Sequence, residues 1–171
     1  RGIALIDDSY IVFDRVTCDT PRTIDRYQHG RGKATLRFKT EPVGELANAP
    51  EEGEFTDIVG GPCGKQVVVE FENDLKMRAV TDSDVSGYKA TTISGWQGSD
   101  PREIFILRGN QLKSLTCLAA FSFGKDANPP KVEIVKSDAA EAKFKITGKS
   151  STYLIRVDIK GGAAEVIEVV D

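Results

Sequence analysis

The sequence contains one histidine, one tryptophan and three cysteines among 171 residues, and each scarcity excludes something. Cys18, Cys63 and Cys117 lack metal-ligand spacing, and a single histidine does not complete a common zinc set, so neither a metal nor another cofactor is expected. No run of about 18 uncharged apolar residues occurs, and the longest apolar stretches, "QVVVEF" and "YIVF", are strand-sized, so no membrane partner is predicted. No dozen-residue window keeps a helical period; "SDAAEAK" offers one turn at most. There is no G-x-S-x-G and no Cys–His pairing motif to suggest a covalent nucleophile.

What is present is a core-forming composition. Forty per cent of the residues are hydrophobic, enough for one domain spanning residues 1–171. Cys117, in "LTCLAAF", reads as a buried thiol, while a Cys18–Cys63 bridge stays open. The chain starts on arginine and enters a strand pattern at once, as a piece of a longer polypeptide would.

Short runs alternating apolar and polar residues recur from end to end, separated by turn signals, which predicts an antiparallel all-β domain. "ALI" and "YIVFDRV" flank "DDS"; "QVVVEFE" and "KMRAV" flank "ND" at residues 73–74; "EIFILR" and "LKSLTCLAAFSF" flank "GN" at 109–110. The last forty residues supply "KVEIVK", "AKFKIT", "TYLIRVDI" and "AEVIEVV". About a dozen strands are too many for one open sheet to cover its own core, so a two-sheet β-sandwich is expected. Residues 40–64, rich in Gly, Pro and acid, form the longest gap without strand signal and read as a long loop of the kind that often carries function.

The net charge of −3 argues against a nucleic-acid partner, but it is unevenly spread. Residues 22–39 hold Arg22, Arg26, Arg31, Lys33, Arg37 and Lys39 against the single acid Asp25, a local +5 on a body of −8. Within this segment "RYQHGRG" carries the one histidine. On a strand, Asp25, Tyr27, His29 and Arg31 share one face, with Ile24, Arg26 and Gln28 on the other. Tyr, His and Arg together supply a proton donor, a base and a fixed positive charge. The glycines at 30 and 32 leave room for a ligand or another backbone. The plainer reading is that Tyr27 and His29 pack at a sheet edge while Arg31 is solvated.

Two further motifs fail on spacing. "GGPCGKQ" is no phosphate loop, because no Ser or Thr follows the lysine. "DSDVSGY" starts like a calcium loop but has Ile93 where the bidentate glutamate belongs. Trp96, in the Gly-rich "TISGWQGSDP", is either a stacking platform for a sugar ring or a half-buried cap on the core.

Several segments, in order, resemble the C-terminal β-domain of the heparinase II/III-like polysaccharide lyases. "YIVFDRV" is similar to a strand near the start of that domain, and "TIDRYQHGRG" to an aromatic-rich strand ending in "HG". "ISGWQGSDPREIFILRGNQLKSLTCLAAFSF" resembles the later strand pair. The likeness covers residues 1–125 in pieces. It implies β-elimination at a uronic acid, in which the carboxylate is neutralised, the C5 proton is removed and the leaving oxygen is protonated. Most of those groups belong to a helical toroid of the same polypeptide, and the β-domain adds a histidine across the cleft, which maps to His29. By charge alone, Arg26 and Arg31 would then meet carboxylate or sulfate of an anionic polysaccharide, with Tyr27 as a neighbour, and Trp96 would add a sugar contact if its ring is the stacking platform. The resemblance also implies a periplasmic or secreted protein.

The chain departs from that family in two respects. The toroid and its catalytic residues are missing, so this segment alone is expected to have little lyase activity. Zinc-binding relatives carry a second histidine two positions on, where this sequence has Arg31. The competing expectation is a non-catalytic carbohydrate-binding or structural β-sandwich, signalled by an apolar patch on an outer face if it packs on another unit.

Overall fold

The computed structural model describes residues 1–30, 32–47, 55–92, 102–161 and 163–170. Trp96 and Arg31 lie outside the described residues. Within them the chain is all β, without a helix, in eleven strands: β1 Gly2–Ile6, β2 Ser9–His29, β3 Ala34–Leu36, β4 Glu41–Pro42, β5 Phe55–Phe71, β6 Leu75–Thr92, β7 Glu103–Phe123, β8 Lys131–Ser137, β9 Glu141–Thr147, β10 Thr152–Asp158 and β11 Ala164–Val170. All pair antiparallel. A large sheet runs in the order β1-β2-β7-β6-β5-β3, with β4 also on β5, and a small sheet runs β11-β10-β9-β8.

Two expected hairpins form where turn residues dictate. Asp7 and Asp8 close a two-residue loop between β1 and β2, with Asp7 at a φ of 52°. Residues 72–74 close β5 onto β6, with Asp74 at a φ of 61°. Aspartate tolerates this left-handed region better than most residues because its short side chain bonds locally.

The hairpin expected at Gly109–Asn110 does not form. β7 runs through it as one strand of 21 residues, and the irregularity is a kink with Gln111 at a φ of 54°. The strand-poor reading of residues 40–64 also needs correcting, since residues 55–64 belong to β5. A Gly- and Pro-rich stretch can pair where a strand bends, because a bulge supplies the unpaired residue.

All four long strands kink at matched levels. The register shifts between Thr17 and Arg22 in β2, around Pro62–Gln66 in β5, between Thr81 and Ser86 in β6, and β7 turns at Gly109–Leu112. The large sheet therefore folds over on itself, and the inner faces of its two halves enclose one core. Met77, Ala79, Leu115, Cys117 and Phe121 from the first half meet Ile24, Val85, Phe105 and Leu107 from the second.

The opposite face of the first half carries the small sheet. Ile11, Val80, Leu118 and Ala120 pack against Val132, Ala142, Phe144 and Ile146. A polar network also crosses this layer: Arg15 Nη1 donates to Thr116 Oγ1 at 3.0 Å and to Ser137 Oγ at 2.8 Å, and Ser137 donates to Asp82 at 3.0 Å. The outer face of the second half is covered by Leu46 and Val43, which pack with Tyr27, Ile58, Tyr88, Ala90, Ile104 and Ile106.

Candidate functional site

The basic segment starts on the second half of β2, where pairing with β7 sets Asp25 opposite Arg108, Tyr27 opposite Ile106 and His29 opposite Ile104. The two-face reading holds for residues 24–27. Ile24 and Arg26 face the enclosed core, while Asp25 and Tyr27 face the outer layer.

Arg26 does not reach solvent as a carboxylate contact would have to. Its side chain is 9% exposed, and its Nε donates to Asp14 Oδ2 at 3.0 Å. Its guanidinium stands 5.8 Å from the centroid of the Phe121 ring, within cation–π range. Asp14 is 15% exposed and also accepts from Arg1 Nε at 2.5 Å. Burial alone would raise the Asp14 carboxyl, but the bonds from Arg1 and Arg26 outweigh it and hold the group below its ordinary value.

Tyr27 is likewise committed. Its ring stacks on Phe55 at 6.3 Å, and its hydroxyl donates to Asp25 Oδ2 at 3.3 Å. Burial first, then the neighbouring Asp25 charge, pushes the phenol up to about 12. A tyrosine so held is a structural donor; as a catalytic or sugar contact it would first have to leave Asp25.

Asp25 in turn anchors a bidentate pair that the sequence did not reveal. Arg108 Nε and Nη2 donate to its two oxygens at 2.7 and 2.6 Å, and Nη1 donates to the Ala47 carbonyl at 2.5 Å. Both ends of the guanidinium fork are thus satisfied at a buried site. The one available signal was Asp25 itself, a lone acid in a basic run. The electropositive character of residues 22–39 is further reduced by Arg37 on Glu70 at 2.6 Å and Lys39 on Glu41 at 2.9 Å.

His29 stands apart from these pairs. It is exposed, it closes β2, and its ring has no hydrogen-bond partner among the described residues. Its backbone is nevertheless fixed on both sides. Before it, β2 is paired to β7, and the Gln28 side chain donates to the His29 carbonyl at 2.9 Å. After it, Gly30 lies against the Phe71 ring, so closely that a Cβ there would collide with the ring edge. The space left by Gly30 is therefore filled by the protein's own core. Gly32, at a φ of 72°, fits against Glu72 in the same way, and Lys33 and Glu72 exchange bonds of 3.1 and 3.0 Å.

The three cysteines are free thiols. Cys117 is buried as expected, and burial pushes its thiol up to about 11, as it does for Cys63. No group of three or more His, Cys, Asp or Glu side chains converges to hold a metal ion among the described residues. No helix there is long and apolar enough to cross a membrane. A largely apolar crevice of about 290 Å³ opens between the two sheets beside β1, lined by Ile11, Phe13, Leu118, Phe144, Ile155 and Val157, with Arg15 on its wall.

Exposed apolar side chains gather at the other face of the β1–β2 hairpin. Ile3, Leu5, Tyr10 and Phe123 are all exposed. Leu5 pairs across from Tyr10, whose ring meets Phe123 edge to face at 6.3 Å.

Comparison with known proteins adds no relative: no protein-family model and no curated protein matches the chain.

Proposed function

We propose that the chain is the accessory β-sandwich of a polysaccharide lyase that cleaves a uronic-acid-containing anionic polysaccharide by β-elimination. The observation carrying this reading is His29, an exposed imidazole with an uncommitted ring on a rigidly held strand end. An imidazole so placed can accept the C5 proton or, protonated, donate to the leaving oxygen or neutralise the substrate carboxylate. The fixed backbone matters because proton transfer requires the donor and acceptor at hydrogen-bond distance in the bound complex.

Arg26 and Tyr27 have structural duties in this reading, and the toroid of the same polypeptide supplies the remaining chemistry. The polysaccharide lies outside the β-sandwich, against its His29 end, in a secreted or periplasmic protein.

The test is His29→Ala in the full-length polypeptide, with unsaturated uronate product followed by ultraviolet absorbance. Turnover should fall by about 100-fold or more, while the unfolding midpoint of the 171-residue chain stays unchanged. Normal turnover in the variant would remove His29 from the mechanism. The apolar strip of Ile3, Leu5, Tyr10 and Phe123 favours a second reading, a structural module that packs on another protein surface. That reading predicts no uronate-lyase activity in the full-length polypeptide.

A further inference from the structure

Arg78 stands on β6, opposite Ala120 of β7, on the face of the large sheet that carries the small one. It is half-buried, and among the described residues its guanidinium makes no hydrogen bond and no ion pair. Nε is sealed from solvent, while the terminal nitrogens open into a cleft of about 330 Å³. Arg15, Arg26 and Arg108, also turned into the fold, each donate to side-chain oxygens. A guanidinium drawn partly out of water without such an oxygen lowers stability, so the arrangement is unfavourable for the chain by itself.

The cleft lies where the β1–β2 turn, the connection from β7 to β8 and the β9–β10 turn meet. Most of the charge around it is already used. Asp7 Oδ2 accepts from the Lys149 backbone at 3.2 Å, Asp8 takes the Lys149 ammonium at 2.6 Å, and Lys131 pairs with Glu133 at 2.8 Å. Pro129 and Pro130 are buried and stiffen the connection. Left over beside Arg78 are Asp126, Asn128 and Thr147, whose side chains have no partner among the described residues. A planar carboxylate matches the fork of Arg78, and hydroxyl donors match Asp126. Inorganic phosphate satisfies the first and is repelled by the second. A sugar acid satisfies both, and the cleft is at the small end of ligand pockets, about 300–1,000 Å³, which suits a single sugar unit.

We infer that Arg78 holds the carboxylate of one uronate residue, whose ring hydroxyls donate to Asp126 and bond with Asn128 and Thr147. The place of the cleft favours that ligand. Gly30, next to His29, lies against Phe71, and Phe71 and Leu75 flank the β5–β6 turn. Leu75 pairs with Phe123, where β7 ends and the connection carrying Asp126 begins. His29 and the cleft therefore share one end of the molecule, and a polysaccharide lying across that end passes from one to the other. The choice of a uronate over other hydroxy acids rests on the lyase reading; the cleft and its unpaired guanidinium do not.

The experiment is an NMR titration of the 171-residue chain with sodium glucuronate, glucose and alanine, following backbone amide shifts. Glucuronate should move the amides of Arg78, Asn128 and Thr147 saturably, and glucose and alanine should each bind roughly tenfold more weakly or worse. Arg78→Met, which keeps the stem and removes the fork, should weaken glucuronate by roughly tenfold or more. Its unfolding midpoint should be unchanged or raised, because the guanidinium has no partner to lose. Arg78→Lys should fall between the two, since an ammonium keeps the charge without the fork. Asp126→Ala, at an exposed position, should also weaken glucuronate and keeps the test open should Arg78→Met fail to fold. His29→Ala should bind glucuronate as the parent does, so this site and the lyase reading fail separately. Glucuronate that does not saturate, or that binds Arg78→Met and Asp126→Ala as tightly as the parent, overturns the proposal. Glucose or alanine binding as tightly as glucuronate overturns the assignment of a sugar acid.

Discussion

Asp14 and Arg26 lie twelve residues apart on the same strand, and their side chains are joined by a 3.0 Å hydrogen-bonded ion pair. A straight strand would hold them about 40 Å apart. The contact exists because β2 bends between Thr17 and Arg22 and its two halves face each other across a shared core. The pair thus reports on the fold of the whole sheet.

Arg26→Ala should destabilise the protein by about 3 kcal/mol, because it leaves Asp14 partly buried with only the exposed Arg1 as partner. Arg26→Met, which keeps a side chain against Phe121, should cost less. Urea unfolding midpoints give the comparison. A substrate-contacting Arg26 would instead leave stability unmoved and change only binding.

The same pair sets an acid limit. The folded-state carboxyl of Asp14 lies below its unfolded value, so its contribution is fully present above the unfolded value, near pH 4, and is lost as pH falls through the folded one. Stability measured from pH 6 down to pH 2 should therefore drop more steeply in the parent protein than in Asp14→Asn. Equal slopes would assign the acid sensitivity to other carboxylates.

At high pH the sign reverses. The Tyr27 phenol is raised to about 12, so the folded state favours its protonated form. That contribution is intact below the unfolded value, about pH 10, and disappears as pH climbs through the folded one. Tyrosinate absorbance should show one of the four tyrosines ionising late, and Tyr27→Phe should abolish that component.

Gly30→Ala should cost about 1–3 kcal/mol, the range typical of forcing extra volume into a packed site, because its methyl meets the Phe71 ring. Shortening the ring in Gly30→Ala/Phe71→Leu should recover part of the loss. Simple additivity of the two changes in thermal unfolding would show that the contact is not the cause.

The all-β class, the β1–β2 and β5–β6 hairpins and the face assignment of residues 24–27 were legible because each depends on local pattern: period-two alternation, Asp-rich turns and strand parity. The bends were not legible. Gly109–Asn110 reads as a turn, yet β7 continues through it, because β2 kinks at the same level and stays paired with it at Thr17–Ser114, Arg22–Leu112 and Ile24–Gly109. Missing the bends hid the partners of the basic segment. Charge alone makes Arg26 look available, whereas its partner Asp14 is brought to it by the bend of β2, and Asp25 reads as the lone acid of a basic run, whereas its partner Arg108 lies 83 residues on. His29 was singled out by its rarity, by its setting beside Tyr27 and Arg31 and by the family resemblance, and none of these depends on the bends.

Because β2, β5, β6 and β7 each run through both halves of the folded sheet, the two walls share their covalent backbone. Any swing of one wall against the other has to bend all four backbones at once, at the level where their pairing shifts register. A load applied at the His29 end of β2 is carried around the bend to the Ser9 end, and from there into the β1 hairpin and the layer beneath it. Mechanically the molecule is a creased plate whose two leaves are joined by four continuous backbones across the crease.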